Sequence, residues 1–363
     1  MATLRAAIIG AGRPRRKEGA TGFGMAHFHA EGFKAARDCE LIAVADIKPE
    51  NAQAFAEEHP GARPYTDHKE MLRSEKPDIV SICLWDHLHY PMTMHCIQAG
   101  VKAVHCEKPM APTFGEARKM HEAARDAGVQ LTFNHQMRFS KTIQEAKHLL
   151  DAGTVGDLKA IETSCANLFD EGTHLFDLAF FYNGQTPVQW LIGQIDSRTE
   201  RSLFGIRYED QALAQFRFEN NVAGLMATGP GAKLLGAERM VRLIGSASAI
   251  EVLWGMPPNE DKLRVRRDGA TDWENLPLPD NLSGPDMLVG ALSRGIADAI
   301  DALRTARTPL QDSQWALQAT ELIFATYESS RRRARIDLPL DIEDSPFLSM
   351  LEHGDIGPRS KEV

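Results

Sequence analysis

The sequence predicts a two-domain α/β protein, in which a parallel sheet covered by helices precedes a domain of longer, largely antiparallel strands. In the first third of the chain, short apolar runs alternate with amphipathic stretches, as in successive strand–helix–strand units. After about residue 156 the segments lengthen and alternate apolar with polar residues, which favours antiparallel strands. The 363 residues are enough for two domains of ordinary size.

Five short apolar runs are expected to form the parallel strands. They are residues 5–9, 41–45, 79–84, 103–106 and 129–133. Between the last two runs a helix is predicted over residues 113–127, because Thr113 and Glu116 have the spacing of a capping box and Gly128 follows the helix end.

Three alternating segments are expected to form strands of the second domain: residues 212–218, 224–227 and 240–244. Asn220-Asn221 predicts a tight turn between the first two. Two helices, about 286–303 and 313–332, and a short strand over 334–338 follow. We therefore expect a first domain over residues 1–133, a second over 134–340 and a C-terminal tail over 341–363.

Composition narrows the functional class. Hydrophobic residues make up 43% of the chain and charged residues 25%, as in soluble globular proteins. The 50 acidic and 41 basic residues give a net charge of -9, which argues against nucleic-acid and anionic-membrane partners. There is no apolar run of roughly 20 residues and no signal-peptide pattern at the start. The five cysteines form no CxxC pair and are read as reduced thiols of a cytoplasmic protein.

A glycine turn directly follows the first apolar run. Gly10 and Gly12 would let backbone N–H groups approach a pyrophosphate at a helix N-terminus. The third glycine of a G-x-G-x-x-G motif is absent three residues later, and we interpret Gly24 as its displaced equivalent. Residues 13–23 are then a basic, glycine-rich insertion, expected to form a mobile flap. A plain loop is the alternative interpretation.

The second apolar run ends in Asp46, where a carboxylate would accept hydrogen bonds from both ribose hydroxyls of a dinucleotide. Such a carboxylate repels a 2′-phosphate, so Asp46 favours NAD over NADP. A helix cap before Lys48 is the alternative for Asp46. The insertion also contains four basic residues that could contact a 2′-phosphate or simply be solvated: Arg13, Arg15, Arg16 and Lys17.

Two further motifs carry a family resemblance. Glu107-Lys108-Pro109 follows the fourth apolar run, at the edge of the sheet where ligands of such folds bind. The second motif has the form D-x-G-x-H-x-x-D and runs from Asp170 to Asp177, with His174 as its histidine. Through these two motifs, the glycine turn and Asp46, the chain resembles the Gfo/Idh/MocA family of NAD(P)-dependent oxidoreductases (glucose–fructose oxidoreductase, inositol dehydrogenase and rhizopine catabolism).

The resemblance implies an N-terminal Rossmann-type parallel sheet domain plus a C-terminal α/β domain with an open, largely antiparallel mixed sheet. It also implies a homo-oligomer, dimer or tetramer, that assembles through that sheet. Where the family often has Thr-Pro-Asn, this chain has Leu84-Trp85-Asp86, whereas His89 matches. The cofactor-binding residues implied are Gly10, Gly12, Gly24, Asp46, Trp85, Asp86, His89, Glu107 and Lys108.

The resemblance places Lys108, Asp170 and His174 at the nicotinamide. Breaking the C–H bond of a carbinol requires a base for the hydroxyl proton, and His174 is a natural acceptor because imidazole titrates near neutrality. Lys108 could orient the hydroxyl and stabilise negative charge on its oxygen. Asp170 lies four residues before His174 and would share a helix face with it, holding Lys108 or His174 in place.

Each of these residues also has a structural interpretation: Lys108 as a surface residue, His174 as a packing residue and Asp170 as a helix cap. His135 and Arg138 follow the fifth apolar run and are expected, with Asp170 and His174, to contact substrate. No metal site is expected, because no ligand spacing such as HExxH is present.

The function expected is hydride transfer between NAD and a secondary alcohol or ketone carbon of a cyclitol, sugar or other polyol-like substrate. One alternative is an NAD-dependent glycoside hydrolase of the same architecture, which oxidises the sugar transiently. The other is a non-catalytic sensor that binds NAD without turnover.

Overall fold

The computed structural model describes residues 3–12, 24–203, 205–237, 239–254, 262–278 and 289–358. The chain divides into two compact units, described separately below. Unit 1 comprises Met1–Pro112, Glu116–Gln136 and Leu288–Leu317. Unit 2 comprises Thr113–Gly115, Met137–Met287 and Gln318–Val363.

The helices of the described residues are numbered in chain order. They are α1 (Met25–Ala35), α2 (Pro49–Glu58), α3 (His68–Glu75), α4 (His89–Gln98), α5 (Phe114–Ala127), α6 (Lys141–Asp151), α7 (Gly172–Tyr182), α8 (Ala291–Thr305), α9 (Ser313–Arg332) and α10 (Pro346–His353). None of them combines the length and apolar character that a bilayer-spanning helix requires.

The strands are numbered in the same way. They are β1 (Leu4–Ile9), β2 (Cys39–Ala45), β3 (Arg63–Tyr65), β4 (Ile79–Ile82), β5 (Ala103–Cys106), β6 (Gln130–Phe133), β7 (Leu158–Cys165), β8 (Val188–Asp196), β9 (Ser202–Leu203), β10 (Ile206–Arg207), β11 (Gln211–Phe218), β12 (Ala223–Thr228), β13 (Met240–Gly245), β14 (Ser248–Leu253), β15 (Lys262–Arg267), β16 (Glu274–Asn275) and β17 (Ile336–Asp337).

Unit 1 is built on a six-stranded parallel sheet in the order β3-β2-β1-β4-β5-β6, the doubly wound arrangement of a Rossmann fold. Strands β4 and β5 are buried along their whole length, which explains their continuous apolar sequences. All five predicted runs form strands. Strand β3 was not predicted, because it is a short edge strand with the exposed sequence Arg-Pro-Tyr.

Helix α8 returns the chain to unit 1. Its residues Leu292, Ile296 and Ile300 belong to a core cluster that also contains Phe33 of α1. The two helices approach closely at Gly32, where an added Cβ would lie 2.6 Å from Ile296 Cδ1. An apolar stripe on α8 thus covers the parallel sheet of unit 1.

The observed division of the chain therefore differs from the one expected. A single boundary, with residues 134–340 as one continuous second domain, does not describe it, because residues 288–317 belong to unit 1 and residues 113–115 to unit 2. Amphipathic periodicity predicts that α8 packs on a sheet but does not say on which one.

Unit 2 contains a nine-stranded mixed sheet in the order β16-β15-β14-β13-β7-β12-β11-β8-β17 among the described strands. Neighbouring strands are antiparallel except β7 and β12, which run parallel. Helix α7 packs on one face through the edge-to-face pairs Phe176–Phe216 and Phe180–Phe218. Ile192 and Leu213 are exposed on the sheet. This is the open, largely antiparallel mixed sheet that the sequence predicts.

The hairpin between β11 and β12 turns at the predicted position. Asn221 has φ +68°, and the N–H of Phe218 donates to the carbonyl of Val222 at 3.0 Å. Helix α9 has the predicted bounds. The predicted start of the preceding helix, at residue 286, lies outside the described residues, and α8 is described from Ala291.

The expected tail contains helix α10. Ser345 caps it by accepting a hydrogen bond from the N–H of Leu348. Phe347 is buried and stacks on Tyr327 of α9, with ring centroids 5.2 Å apart. Part of the C-terminal segment is therefore a packed element of unit 2.

Candidate active site

The turn after β1 has the geometry of a phosphate cradle. Gly10 has φ +96°, and a Cβ there would lie 2.5 Å from the carbonyl oxygen of Cys83, so only glycine fits. Gly12 has φ +70°, and apart from its own neighbours in the chain no atom of the described residues lies within 4 Å of its Cβ position. The backbone at Gly12 is thus open to a close-approaching group.

Gly24 immediately precedes α1 and has the left-handed φ of +64°. This position, at the N-terminus of the helix that follows the glycine turn, fits its interpretation as the displaced third glycine. Residues 13–23, for which a mobile flap is expected, lie outside the described residues.

Asp46 lies directly beside the glycine turn. Its Oδ2 accepts hydrogen bonds from the N–H groups of Ala11 and Gly12, both at 3.1 Å. Its Oδ1 accepts from the N–H of Lys48 at 2.9 Å, just before α2. The carboxylate therefore faces the turn, as a ribose-binding acid would, and also fixes the start of α2, as the helix-cap alternative proposed.

Glu107 is a buried and charged residue of unit 1. Its side chain is buried, and Oε1 accepts from the Asn134 amide at 2.8 Å and lies 2.8 Å from Nε2 of His29. Burial acts to raise the pKa of Glu107, but the hydrogen bond and attraction of His29, with the charge of Lys108, outweigh it and hold the pKa at about 2. Glu107 is therefore an ionised carboxylate in the interior.

This network fixes the turn that carries Lys108. Oε2 of Glu107 lies 3.3 Å from the N–H of Lys108, and the Lys108-Pro109 peptide bond is cis. His89 lies between two carbonyl oxygens, with Nδ1 2.8 Å from that of Pro109 and Nε2 3.0 Å from that of Leu84. His89 thus supports the turn from behind rather than presenting a free ring.

Trp85 and Asp86 differ sharply in exposure. Trp85 is half exposed, which leaves a large aromatic surface on unit 1. Asp86 is buried, and burial raises its pKa against the lowering effect of His89. Its Oδ1 accepts from the N–H of His87 at 2.7 Å, whereas Oδ2 has no hydrogen-bond partner among the described residues. A buried acceptor of this kind fits a ligand hydroxyl or amide.

In unit 2, Asp170 lies in the turn before α7, and His174 lies in the first turn of that helix. The helix face expected to hold both is not formed, because α7 begins only at Gly172. Asn167 holds the turn: its Oδ1 accepts from the N–H groups of Asp170 at 2.7 Å and Glu171 at 3.3 Å.

A second buried acid also holds this turn. Glu209 accepts from the N–H of Leu168 at 2.6 Å and from the hydroxyl of Tyr327 at 2.9 Å. Burial raises the pKa of Glu209, because its partners are neutral donors.

The two expected substrate contacts after β6 are both buried. Arg138 has no exposed surface and pairs with Asp177, through Nε–Oδ2 at 2.5 Å and Nη2–Oδ1 at 2.7 Å. This bidentate pair joins Arg138 to the last acid of the motif that begins at Asp170, and the expected substrate contact of Arg138 stays a prediction. His135 is 1% exposed in unit 1.

Sequence reasoning missed His29, Asn134 and Glu209. His29 lies on α1 and Asn134 follows β6, so their contacts with Glu107 join residues 78 and 27 positions apart. Asn134 had one available signal, since it follows an apolar run at the carboxyl edge of the sheet. For Glu209 we find no such signal.

Several known proteins are similar to this chain. Residues 4–135 match the family described as "Oxidoreductase family, NAD-binding Rossmann fold". The D-glucoside 3-dehydrogenase of Escherichia coli is 36% identical over 155 residues, 43% of this chain and 41% of that protein. The alignment thus spans less than half of that relative. The D-apiose dehydrogenase of Paraburkholderia graminis is 24% identical over 92% of this chain and 91% of its own.

Among solved structures, a levoglucosan dehydrogenase in complex with NADH and levoglucosan has the same fold. Its TM-score is 0.77 with 18% identity, over 93% of this chain and 100% of that one. The glycine turn with Asp46 beside it and the Glu107-Lys108-Pro109 turn both lie within the residues that match this family. The N-terminal part of the chain, residues 4–135, matches the NAD-binding Rossmann domain of the Gfo/Idh/MocA oxidoreductase family.

Proposed function

We propose that the protein is an NAD-dependent dehydrogenase that transfers hydride between the cofactor and a secondary alcohol or ketone carbon of a cyclitol, sugar or sugar derivative. The observation that carries the proposal is the pairing of Asp46 with the open glycine turn in the same unit as the anchored Glu107-Lys108 turn. The three relatives named above are dehydrogenases of sugars or glycosides by their names.

Unit 1 has the groups that NAD requires. The turn at Gly10 and Gly12, with Gly24 at the start of α1, would hold the pyrophosphate. Asp46 would accept from the ribose hydroxyls. We assign the nicotinamide end to Trp85, Asp86, Glu107 and Lys108, with His89 supporting the turn. Bound NAD supplies the hydride acceptor.

The proton chemistry belongs to the chain's own residues. We assign His174 as the base that takes the hydroxyl proton during oxidation and returns it during reduction. Lys108 orients the hydroxyl and stabilises negative charge on its oxygen. We propose that Asp170 holds His174 in place, and Asn167 fixes the backbone from which Asp170 projects.

Glu107 is a positioning residue in this scheme. It contacts the backbone of Lys108 on one side and His29 and Asn134 on the other, so it links the lysine turn to α1 and to the end of β6. Because its charge is satisfied inside the fold, we expect its loss to affect stability as well as the alignment of Lys108.

We also propose that the protein forms a homo-oligomer through the mixed sheet of unit 2. Ile192 and Leu213 are 46% and 44% exposed. The strand register pairs Ile192 with Gln215 and Leu213 with Gln194, so both apolar side chains lie on the same sheet face. A cytoplasmic location is proposed from the five cysteines, all of which are free thiols.

The first prediction concerns cofactor choice. The unmodified protein should bind NAD more tightly than NADP, and Asp46→Ser should narrow the difference because the repulsion of a 2′-phosphate is removed. Fluorescence titration with both cofactors measures this. Glu50→Gln, which changes another acid close by in α2, should leave the preference intact. Equal or tighter NADP binding by the unmodified protein would contradict the assignment.

The second prediction concerns catalysis. Lys108→Ala and His174→Ala should each lower the rate constant of hydride transfer, by about 10²–10³ and about 10²–10⁴ respectively, with NAD affinity nearly unchanged. The double variant should lose less than the product of the two effects, because both groups act on one oxygen. Single-turnover kinetics provides the test, with Lys102→Ala, an exposed lysine at the start of β5, as the control.

His174 should also give alcohol oxidation an ascending pH limb, since the imidazole must be neutral to accept a proton. The limb should disappear in His174→Ala. If that variant retains both the full rate and the limb, His174 is not the base, and His135 or Lys108 becomes the candidate.

The third prediction concerns Glu107. Its folded pKa of about 2 lies below the ordinary value of 4.5, so its stabilisation is fully present above pH 4.5 and is lost as the pH falls towards 2. The difference corresponds to roughly 3 kcal/mol. Glu107→Gln should therefore lower the free energy of unfolding at neutral pH. The difference in this free energy between the variant and the unmodified protein should shrink as the pH falls.

Urea unfolding followed at several pH values measures this deficit. Glu122→Gln, an exposed change on α5, is the matched control and should show none. A Glu107→Gln deficit that stays constant between pH 7 and the acid range would mean that packing, not charge, accounts for the role of Glu107.

A further inference from the structure

A cluster of metal-ligating side chains lies in unit 1, apart from the residues assigned above. His27 is in the first turn of α1, Glu58 is the last residue of α2, and His59 follows it. Within the described part of the chain, these three form the one group of three or more histidine, cysteine or acidic residues whose ligand atoms all lie within 4.8 Å of one another.

The distances in this cluster are close to those of a coordination sphere. Nδ1 of His27 lies 2.9 Å from Nε2 of His59 and 3.3 Å from Oε2 of Glu58. Ligand atoms about 2.0–2.2 Å from a tetrahedral ion lie roughly 3.3 Å apart. One nitrogen of each ring and one carboxylate oxygen could therefore ligate a single ion with small side-chain adjustments.

The surroundings hold both rings in place and leave one side open. His27 and His59 are buried, and both pack against Phe55, at centroid distances of 4.8 and 4.4 Å. The side chain of Glu58 is 43% exposed, so an ion can reach the cluster from solvent. A water molecule could complete the coordination on that side.

A carboxylate also faces the second nitrogen of His59. Oε1 of Glu31, one turn after His27 on α1, lies 3.6 Å from His59 Nδ1, while His59 Nε2 points to the cluster. Carboxylates in this position commonly orient metal-binding histidines and raise their basicity. Four side chains, two on α1 and two at the end of α2, are therefore arranged as ligands and support.

A second histidine pair in unit 1 shows what distinguishes this cluster. His68 Nε2 and His95 Nδ1 are also 2.9 Å apart, but Asp67 lies 3.9 Å from the outer nitrogen of His68 rather than beside the contact. A hydrogen bond between two rings accounts for the His68–His95 geometry. It does not account for the Glu58 carboxylate beside the contacting nitrogen of His27.

We propose that His27, Glu58 and His59 bind a divalent transition-metal ion of the zinc type, with Glu31 orienting His59. Two imidazoles and one carboxylate favour Zn²⁺ or Co²⁺ over Mg²⁺ or Ca²⁺, which prefer all-oxygen sites. The ion clamps the end of α2 to the first turn of α1 and so stabilises unit 1. No local spacing reveals the site, because His27 and His59 are 32 residues apart.

The test uses the full chain without an affinity tag, stripped with EDTA and desalted, then titrated with Co²⁺. We expect one Co²⁺ per chain, with the visible ligand-field bands of low-coordinate Co²⁺ that Zn²⁺ abolishes by competition. Zn²⁺ should also raise the melting temperature in a concentration-dependent way, because it binds the folded state.

Variants locate the ion. Glu58→Gln and His59→Gln should each weaken Co²⁺ binding by at least ~10-fold, and Glu31→Gln by ~10–100-fold. His95→Gln, in the other histidine pair, should bind like the unmodified chain. Absent ligand-field bands, or equal affinity in Glu58→Gln and His95→Gln, would overturn the proposal. Glu58 is exposed, so its variant remains decisive even if His59→Gln does not fold.

Discussion

A single buried carboxylate, Glu107, is the constraint on which the cofactor-binding unit depends. Three elements meet at it: α1 through His29, the end of β6 through Asn134, and the Lys108 turn through its backbone. A buried charge is costly unless it is paired and hydrogen-bonded, so these partners must be placed together. The requirement to satisfy one charge therefore fixes the position of the turn that carries the proposed catalytic lysine.

The acids of this protein show how environment assigns different roles to one functional group. Glu107 is held ionised by His29 and Lys108, and its pKa is about 2. Glu209 in unit 2 is equally enclosed, but its partners are an N–H group and hydroxyls, and burial raises its pKa. Asp46 lies at the edge of the glycine turn and accepts backbone N–H groups. The first two acids hold turns in place, whereas the third is the acid proposed to bind the ribose.

Local patterns in the sequence predicted most of the parallel sheet, because strands buried on both faces must be continuously apolar, as β4 and β5 are. The hairpin at Asn220-Asn221 was also predictable, because the residues that favour a tight turn are adjacent in the sequence. The edge strand β3 was missed because it is polar. Helix α8 was recognised as a helix, but its return to unit 1 depends on the close approach at Gly32, which periodicity does not encode.

The candidate site was predictable where a residue lies beside a motif and not where it acts from a distance. Asp46 follows a strand and lies at the glycine turn, as expected. The helix face proposed for Asp170 was wrong, because α7 starts after it. Arg138 forms a buried pair with Asp177, a contact across 39 residues that no local pattern reveals, and its expected contact with substrate stays a prediction. His29 and Asn134 likewise become visible only when the fold brings them to Glu107.

The central claim, net hydride transfer to NAD from a sugar-like carbinol, is tested most directly by product stoichiometry. The purified chain is incubated with NAD and a panel of cyclitols, sugars and chromogenic glycosides, while NADH absorbance and product masses are followed together. We expect one NADH to accumulate for each substrate molecule that loses two hydrogen atoms. Release of aglycone without accumulated NADH would contradict it and indicate transient oxidation. Tight NAD binding with no turnover across the panel would contradict it in favour of a sensor.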